Sequence, residues 1–556
     1  MRKVRRQAEL ERKPSTEGAA QSSLGKRLLF IVLSALSLWQ ITEQDIYWQI
    51  RSGMDLWQTG QFPLTDTWSF SAPGFEWMNI QWLSTLLFYC AYSLGEETAL
   101  VVLRALLVGL LFALLLRRGS PYIAWVLGLF VFSAMAFRLQ LRSDLLIFIT
   151  FAALVNIWSD SQRSAQRQLF LSLPFLFLSI QLHPGTAPFL FALVGLAVLH
   201  LPKTVLYRFT SLLGLGALYF ATPYHLKVLP ILERHLNYYQ HNLMQNPDHQ
   251  ALNLGHFTSL GPAMWVTVLL GFAAPLVWWR FRKFDQSLFS RPSFFVPLWA
   301  LLSFMSLNRI RAIPFLLIFV LPLWPWALSQ LRSFKGRIAV FGVALAATLI
   351  LVVKGRLEYG FRASRDMFPV DSVEFIQQNR PSPELLHTYA YGAYTVWNLK
   401  DYKVFVDTRE SPYIHLQERI LNAFYSAEET QSLSRDFNVQ TVLYPLPPVG
   451  STDSKGLLRN LNQEYFPRRE WALVFIGRRS NIFVRRTPAH AKLIEAHEYQ
   501  VLDTGFPPQI YTPGTGYADL PLLRSRLQAE LRRCQLANPE ASYCENAARA
   551  AEGSAP

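Results

Sequence analysis

Two carboxylates, Glu43 and Asp45, stand directly after the first apolar run of the chain, in the segment Glu43-Gln44-Asp45-Ile46-Tyr47-Trp48. A charged group so close to a hydrocarbon boundary is costly to keep, so one reading of the pair is a base that orients or deprotonates an acceptor hydroxyl or amine. Aspartate also favours the start of a helix, and a helix beginning here would account for Asp45 as well. Four arginines, Arg138, Arg142, Arg309 and Arg311, fall in short breaks between apolar runs. The planar guanidinium presents paired donors that match phosphate oxygens, so these four suit a lipid phosphate; the alternative is that each snorkels to membrane headgroups. His183 precedes Pro184 and Gly185 in another such break, where it can donate to phosphate or substrate, or end a helix with its ring satisfied.

Other candidates carry weaker patterns. Asp55, Asp66 and Glu76 follow the first apolar run and could in principle hold a divalent cation through oxygen, but their spacing matches no metal motif, and Thr65-Asp66-Thr67 reads equally as a turn. No cofactor is therefore expected, with a divalent cation left as an open possibility. Asp407, Thr408 and Arg409 end a strand-like run, where layered α/β folds often present ligand contacts; an ion pair between Asp407 and Arg409 is the plainer use. Neither a glycine-rich phosphate loop, a GxSxG elbow nor a zinc-ligand cluster is present,. Of the three cysteines, Cys90 lies in an apolar run and suits the role of a small hydrophobe, whereas Cys534 and Cys544 lie in a polar tail and are disulfide candidates if that tail is exported,.

The elements that must position these residues are set by composition. The chain is 51% hydrophobic and only 16% charged, against about a quarter charged in an ordinary soluble protein. Membrane lipid is the expected surrounding. The formal net charge of +15 does not point to nucleic acid, because the basic residues punctuate apolar runs and form no stripe with interleaved aromatics. Apolar runs able to cross a bilayer, some only with their flanks, fall near 28–42, 98–116, 121–137, 144–159, 168–182, 186–201, 205–221, 262–279, 292–307, 312–328 and 338–353,. The basic leader 1–27, with eight Lys or Arg against three Glu, places the amino terminus in the cytoplasm and the first run reads as a signal anchor,. A twelfth crossing at Asn79–Gly95 would put the basic turns at Arg117-Arg118, Arg163–Arg167 and Arg280–Lys283 outside, so that segment is expected as an amphipathic surface helix. Eleven spans then leave the carboxyl terminus outside, with Arg138, Arg142, Arg309 and Arg311 in outer turns.

Beyond the last run the composition becomes that of a small soluble domain, expected over 365–486. A helix over Val370–Gln378 and strands over Tyr402–Val406, Thr441–Tyr444 and Ala472–Ile476 predict an α/β layered module,. The tail 487–556 is rich in Pro, Gly and Ala, with a helix-compatible stretch over Leu520–Arg533,.

The acidic segment at Glu43–Trp48, together with Gly53, Trp57, Gly60, the run Pro63–Gly74 and Trp77–Trp82, resembles the bacterial membrane proteins related to the GT-C glycosyltransferases. That superfamily includes the protein O-mannosyltransferases and the lipid A aminoarabinose transferases. The resemblance extends through His183-Pro184-Gly185, Pro223-Tyr224, Asn308–Arg311 and Phe368–Arg409, most of the chain up to about 486. It implies a GT-C-like transmembrane domain over 28–353, with outer-face loop 43–97, in a bacterial inner membrane. It also implies a sugar donor linked to polyprenyl phosphate, Asp45 as base with Glu43 second, and surface-lying helices before the second span. The expected fold is thus mostly α, with about eleven transmembrane helices and a small exported α/β domain. A transporter or flippase for a lipid-linked saccharide and a non-catalytic envelope scaffold are the other expectations. Sugar, lipid carrier and acceptor stay open.

Overall fold

The computed structural model describes residues 16–117, 120–231, 233, 250–259, 261–283, 285, 287–330, 333–353, 358–448, 450–452, 458–515, 521–539 and 541–553. The first fifteen residues of the basic leader, Arg118 of the basic turn Arg117-Arg118, and Leu520 lie outside the described residues. Two compact units emerge. One gathers the chain up to Ile41 and most of the stretch from Ile80 to Arg362; the other is built chiefly from Thr42–Asn79 and Ala363 onward.

The first unit is helical. Among the described residues, four of its helical stretches, Trp82–Leu115, Pro121–Arg138, Met264–Phe281 and Ile310–Ser329, are long and apolar enough to cross a membrane. Shorter apolar helices follow the same pattern at Ser143–Trp158, Ala187–Leu199, Val205–Tyr219 and Pro292–Asn308. Their starts obey local rules: Ser120, Ser164 and Thr204 each accept a backbone N–H of the first turn, and Pro121 occupies the first helical position, where a missing N–H is harmless,. The helix Ser143–Trp158 is apolar nearly all round and almost wholly buried, as a helix enclosed by others must be. Large apolar side chains nevertheless face outward, among them Leu106, Phe170, Phe209, Leu276 and Phe304, which suits lipid better than water.

Trp82–Leu115 is continuous except at Gly95 and Glu96, whose backbone leaves the helical region, Glu96 with φ of 52°. The break falls where the expected surface segment Asn79–Gly95 meets the expected span at 98. Within that span lies Arg104, a charge that a purely apolar reading of 98–116 passes over. It is buried, donates from Nε to the Ser37 carbonyl at 3.1 Å and from its terminal nitrogen to the Trp39 carbonyl, and lies 4.4 Å from the centre of the Trp39 ring. Its donors therefore satisfy carbonyls just past the end of the helix Thr16–Ala35, a place where such acceptors are otherwise orphaned.

Among the described residues of the second unit, four strands form one sheet in the order β1-β2-β4-β3, with β1 Leu385–His387, β2 Thr441–Pro445, β3 Trp471–Ile476 and β4 Ser480–Arg485. β1 runs parallel to β2, and β4 pairs antiparallel with both β2 and β3. The expected strands at 441–444 and 472–476 are present, and the expected helix appears as Val370–Asn379. The expected strand Tyr402–Val406 is not a ladder: Val404 makes single parallel bridges to Leu385 and to Ser69. A helix over Tyr389–Asn398 presses on this segment so closely that a Cβ on Gly392 would lie 1.9 Å from the Val406 carbonyl oxygen, so only glycine fits there.

Two boundaries differ from expectation. The segment 42–79, assigned from sequence to a loop of the transmembrane domain, packs into this second unit, where Tyr47 meets Phe368 and Tyr394 edge-to-face at 5.1 and 4.8 Å. The core also does not end at 486: Leu502, Tyr511, Leu527, Cys534, Cys544 and Ala547 pack in one cluster with Phe405, Val442 and Phe483. Cys534 and Cys544 are joined as a disulfide, their Cα atoms 6.0 Å apart.

What fastens 42–79 to the rest of this unit is a buried charge cluster. Arg409 lies between the Trp68 and Trp77 rings, 4.4 and 4.7 Å from their centres. It grips Asp407 through Nε and a terminal nitrogen, at 2.8 and 2.6 Å, and reaches Asp66 at 2.6 Å with the other terminal nitrogen. Tyr413 donates to Asp407 at 2.7 Å. The ion pair read from sequence as the plainer use of Asp407 and Arg409 is thus made, with Asp66 as a third member. Two carboxylates and a guanidinium fully withdrawn from water are stable only while each keeps its partners. Asp66→Ala is expected to destabilise this unit by about 3 kcal/mol, read as a lower urea midpoint for the full chain in detergent by tryptophan fluorescence; an unchanged midpoint would contradict the clamp.

Candidate functional site

Four of the five basic residues singled out in the turns of the first unit converge on one carboxylate. Arg138 closes a 3-10 turn, Ala136–Arg138; the chain then extends through Arg142 and enters the helix Ser143–Trp158, whose first turn carries Asp144. Arg138 meets Asp144 Oδ2 at 2.6 Å, and Arg311, from the turn Ile310–Ala312, lies 3.5 Å from the same oxygen. His183 Nε2 is 3.7 Å from Asp144 Oδ1, and Arg142 adds its field to the same carboxylate. Arg309, at the end of the helix Pro292–Asn308, is not among the charges that act most strongly on Asp144.

The turns are held by short-range polar contacts. Trp39 donates to the Gln140 side chain at 3.1 Å and Ser143 to the Gln81 side chain at 2.7 Å, which fixes the loop between Arg138 and Asp144. His183 ends the helix Ala165–Leu182, and its carbonyl accepts from Thr186 and Ala187. A Cβ on Gly185 would come within 3.1 Å of the His183 ring, so the glycine of His183-Pro184-Gly185 leaves room for the imidazole. Tyr219 anchors the same turn by donating to the Pro184 carbonyl at 2.9 Å. Burial pushes the His183 imidazole down to about 4, with Asp144 pulling the other way and Arg311 and Arg142 adding to the fall. The ring is neutral at neutral pH.

Three guanidinium groups from separate turns therefore act on one buried carboxylate. The guanidinium group suits an anion with several oxygens, phosphate above all. Exposure divides the roles: the Arg138 side chain is 3% exposed and Arg311 21%. Arg138 is thus held against Asp144, and Arg311 is the more exposed of the two. Sequence reasoning missed Asp144 because it opens the apolar run 144–159. A carboxylate two residues after Arg142, at the very start of an otherwise uncharged helix, was the available signal.

Glu43 and Asp45 belong to the second unit. Asp45 is the first residue of the helix Asp45–Thr59, its backbone N–H donates to Glu43 Oε1 at 3.3 Å, and Trp48 donates to Asp45 Oδ1 at 3.1 Å. Both carboxylates thus serve the helix start, where negative charge is favoured, and Asp45 is half-buried. Two of the three acidic residues considered for a cation go elsewhere: Asp66 into the Arg409 cluster, and Asp55 to Arg51 and the Trp68 indole. Among the described residues no group of three or more His, Cys, Asp or Glu side chains is arranged to hold a metal ion.

No protein-family model matches this chain, and no curated protein matches it.

One further buried histidine has a measurable consequence. His387, at the end of β1, shares Nδ1 with the Thr388 carbonyl at 3.0 Å and accepts the Phe405 N–H on Nε2 at 3.3 Å, which defines the neutral ring. Burial pushes it from its ordinary 6.5 down to about 4, against the pull of the Thr388 carbonyl and Asp407. The unfolded chain takes up this proton at a pH where the folded chain refuses it. The stabilisation by neutral His387 is therefore complete above about 6.5 and is lost as pH falls from there toward 4, a difference on the order of 3 kcal/mol. Urea titrations of the full chain at pH 7.5 and 4.5 are expected to show this loss, and His387→Asn to flatten it; an equal slope in the variant would assign the pH dependence to other groups.

Proposed function

We propose that this chain is a multi-pass membrane glycosyltransferase of GT-C type, which moves a sugar from a polyprenyl-phosphate donor to an acceptor at the outer face of a bacterial inner membrane. The observation that carries the reading is the convergence of Arg138, Arg142, Arg311 and His183 on Asp144 from separate turns. Sugar transfer from a lipid phosphate places negative charge on the departing phosphate, and preorganised cations stabilise that charge as it develops. In this reading Arg311 and Arg142 hold the phosphate. Arg138 and Asp144 keep them in place, and neutral His183 donates to a phosphate or sugar oxygen. Asp45, with Glu43 as second candidate, is the base by resemblance to the acidic motif that follows the first span in GT-C enzymes.

The topology proposed with it has eleven spans, a cytoplasmic amino terminus and the second unit outside. It rests on the distribution of basic turns, and the Cys534–Cys544 disulfide supports it, since such bonds persist in oxidising compartments,. A lipid-linked saccharide transporter, the other expectation, would keep ionisable residues buried at mid-membrane along a path. Here Arg104 is buried but occupied by backbone carbonyls and an indole ring.

The test is transfer of labelled sugar from a panel of polyprenyl-phosphate donors by the purified chain in lipid nanodiscs. Asp45→Asn is expected to lower kcat by about a hundredfold or more, the loss typical of removing a general base, with donor KM little changed. Equal rates in variant and wild type would remove Asp45 from the chemistry. Movement of the lipid-linked saccharide across a vesicle bilayer without any transfer would replace the enzyme with a transporter.

A further inference from the structure

The helical stretch Met264–Phe281 contains a fault that its own sequence creates. Proline has no N–H, so Pro275 leaves an earlier carbonyl without its partner in the helix: that of Gly271 in α register, that of Leu270 in π register,. The chain answers with a π-helical turn over Val268–Phe272, closed where the Ala273 N–H donates to the Val268 carbonyl at 3.1 Å, and the α-helix resumes at Ala274,. Within a bilayer, backbone carbonyls set loose in this way need donors from elsewhere. Two tryptophans supply them: Trp299 Nε1 donates to the Gly271 carbonyl at 3.1 Å, and Trp324 Nε1 to the Leu270 carbonyl at 3.2 Å.

The two donors stand on either side of the turn that carries Arg311. Trp299 belongs to the helix Pro292–Asn308, which runs into that turn, and Trp324 to the stretch Ile310–Ser329, which runs out of it. On the outgoing leg Leu316 lies so close to the π turn that a Cβ on Gly271 would be 3.0 Å from its Cδ2. Both legs of the hairpin are therefore bonded to one short piece of a third helix, and the bonds run to carbonyls that Pro275 sets free.

We infer that the π turn Val268–Phe272 is a clasp on the hairpin 292–329, and that Trp299 and Trp324 are positioning residues, which hold the Arg311 turn where its guanidinium reaches Asp144 at 3.5 Å. Between apolar helices in lipid no hydrophobic force selects one depth or rotation over another. Directional bonds do, and an arginine that meets a phosphate through a planar fork needs its approach fixed, since a displacement of about 1 Å already weakens such positioning. The clasp deepens the phosphate-binding reading of the Asp144 cluster and rests on it for its purpose.

Pro275→Ala separates a clasp from mere packing. It restores the missing N–H, so the helix satisfies its own carbonyls and releases both indoles. The clasp predicts a loosened Arg311 turn in a chain that melts at or above the wild-type temperature. The test is hydrogen exchange of the full chain in nanodiscs of uncharged lipid, read at the amides of Arg309, Ile310 and Ala312, which donate to the carbonyls of Met305, Gln250 and Arg309. These amides are expected to exchange about tenfold faster or more in Pro275→Ala, and likewise in the pair Trp299→Phe with Trp324→Phe, while the helix Ser143–Trp158 keeps its protection. Polyprenyl phosphate, titrated by ³¹P NMR, is expected to bind more weakly to the same variants. Wild-type exchange at the turn in Pro275→Ala overturns the clasp, as does a loss of protection spread evenly over the first unit. Faster exchange at the turn with polyprenyl phosphate bound as tightly as before keeps the clasp and removes the phosphate from Arg311.

Discussion

A carboxylate withdrawn from water holds its position only if opposite charge comes to it, and Asp144 draws that charge from turns far apart in the chain. Arg138 precedes it by six residues, His183 follows two helices later, and Arg311 arrives from beyond residue 300. The ends of four helices are therefore tied to a common point by one buried ion. The helix Ser143–Trp158 presents its amino terminus to this carboxylate, which adds the helix dipole to the attraction,. Removing the ion would take their shared partner from Arg138 and Arg311 at the ends of these helices.

The two ionic clusters of this protein differ in a way that bears on function. Around Arg409, two carboxylates and a tyrosine surround one cation that two tryptophans sandwich, and every member is sealed from solvent. That cluster is complete and structural: it welds 42–79 onto the strands of its unit. Around Asp144 the cations come from separate turns, and Arg311 is partly exposed. A sealed cluster specifies a fold, whereas a partly exposed one lies within reach of solvent and ligand alike. The glycosyltransferase reading rests on that contrast.

Legibility in the sequence followed the strength of local signals. The arginines stood out because each interrupts an apolar run, and the strands at 441–445 and 471–476 because apolar residues cluster there. Asp144 and Arg104 were absorbed into runs judged by their average character, although a single charge inside such a run is what tertiary structure must answer. β1 has three residues and β4 follows two arginines, so neither rises above its surroundings. The segment 402–406 has the residues of a strand, but its neighbours allow only single bridges. The tail was read as an appendage because its core residues, Leu502, Tyr511, Leu527 and Cys544, are spread among Pro, Gly and charged positions; only packing reveals them as one cluster. That 42–79 joins the carboxyl-terminal unit was invisible, since it depends on Asp66 finding Arg409 across 343 positions.

Binding of a lipid phosphate by the arginines around Asp144 is measured most directly by ³¹P NMR titration of polyprenyl phosphate into the purified chain in nanodiscs of uncharged lipid. Saturable binding is expected, and Arg311→Gln is expected to weaken it by about tenfold or more, the effect of losing one charge-assisted contact. Binding of equal strength in the variant, or no saturable binding by the wild type, would contradict it.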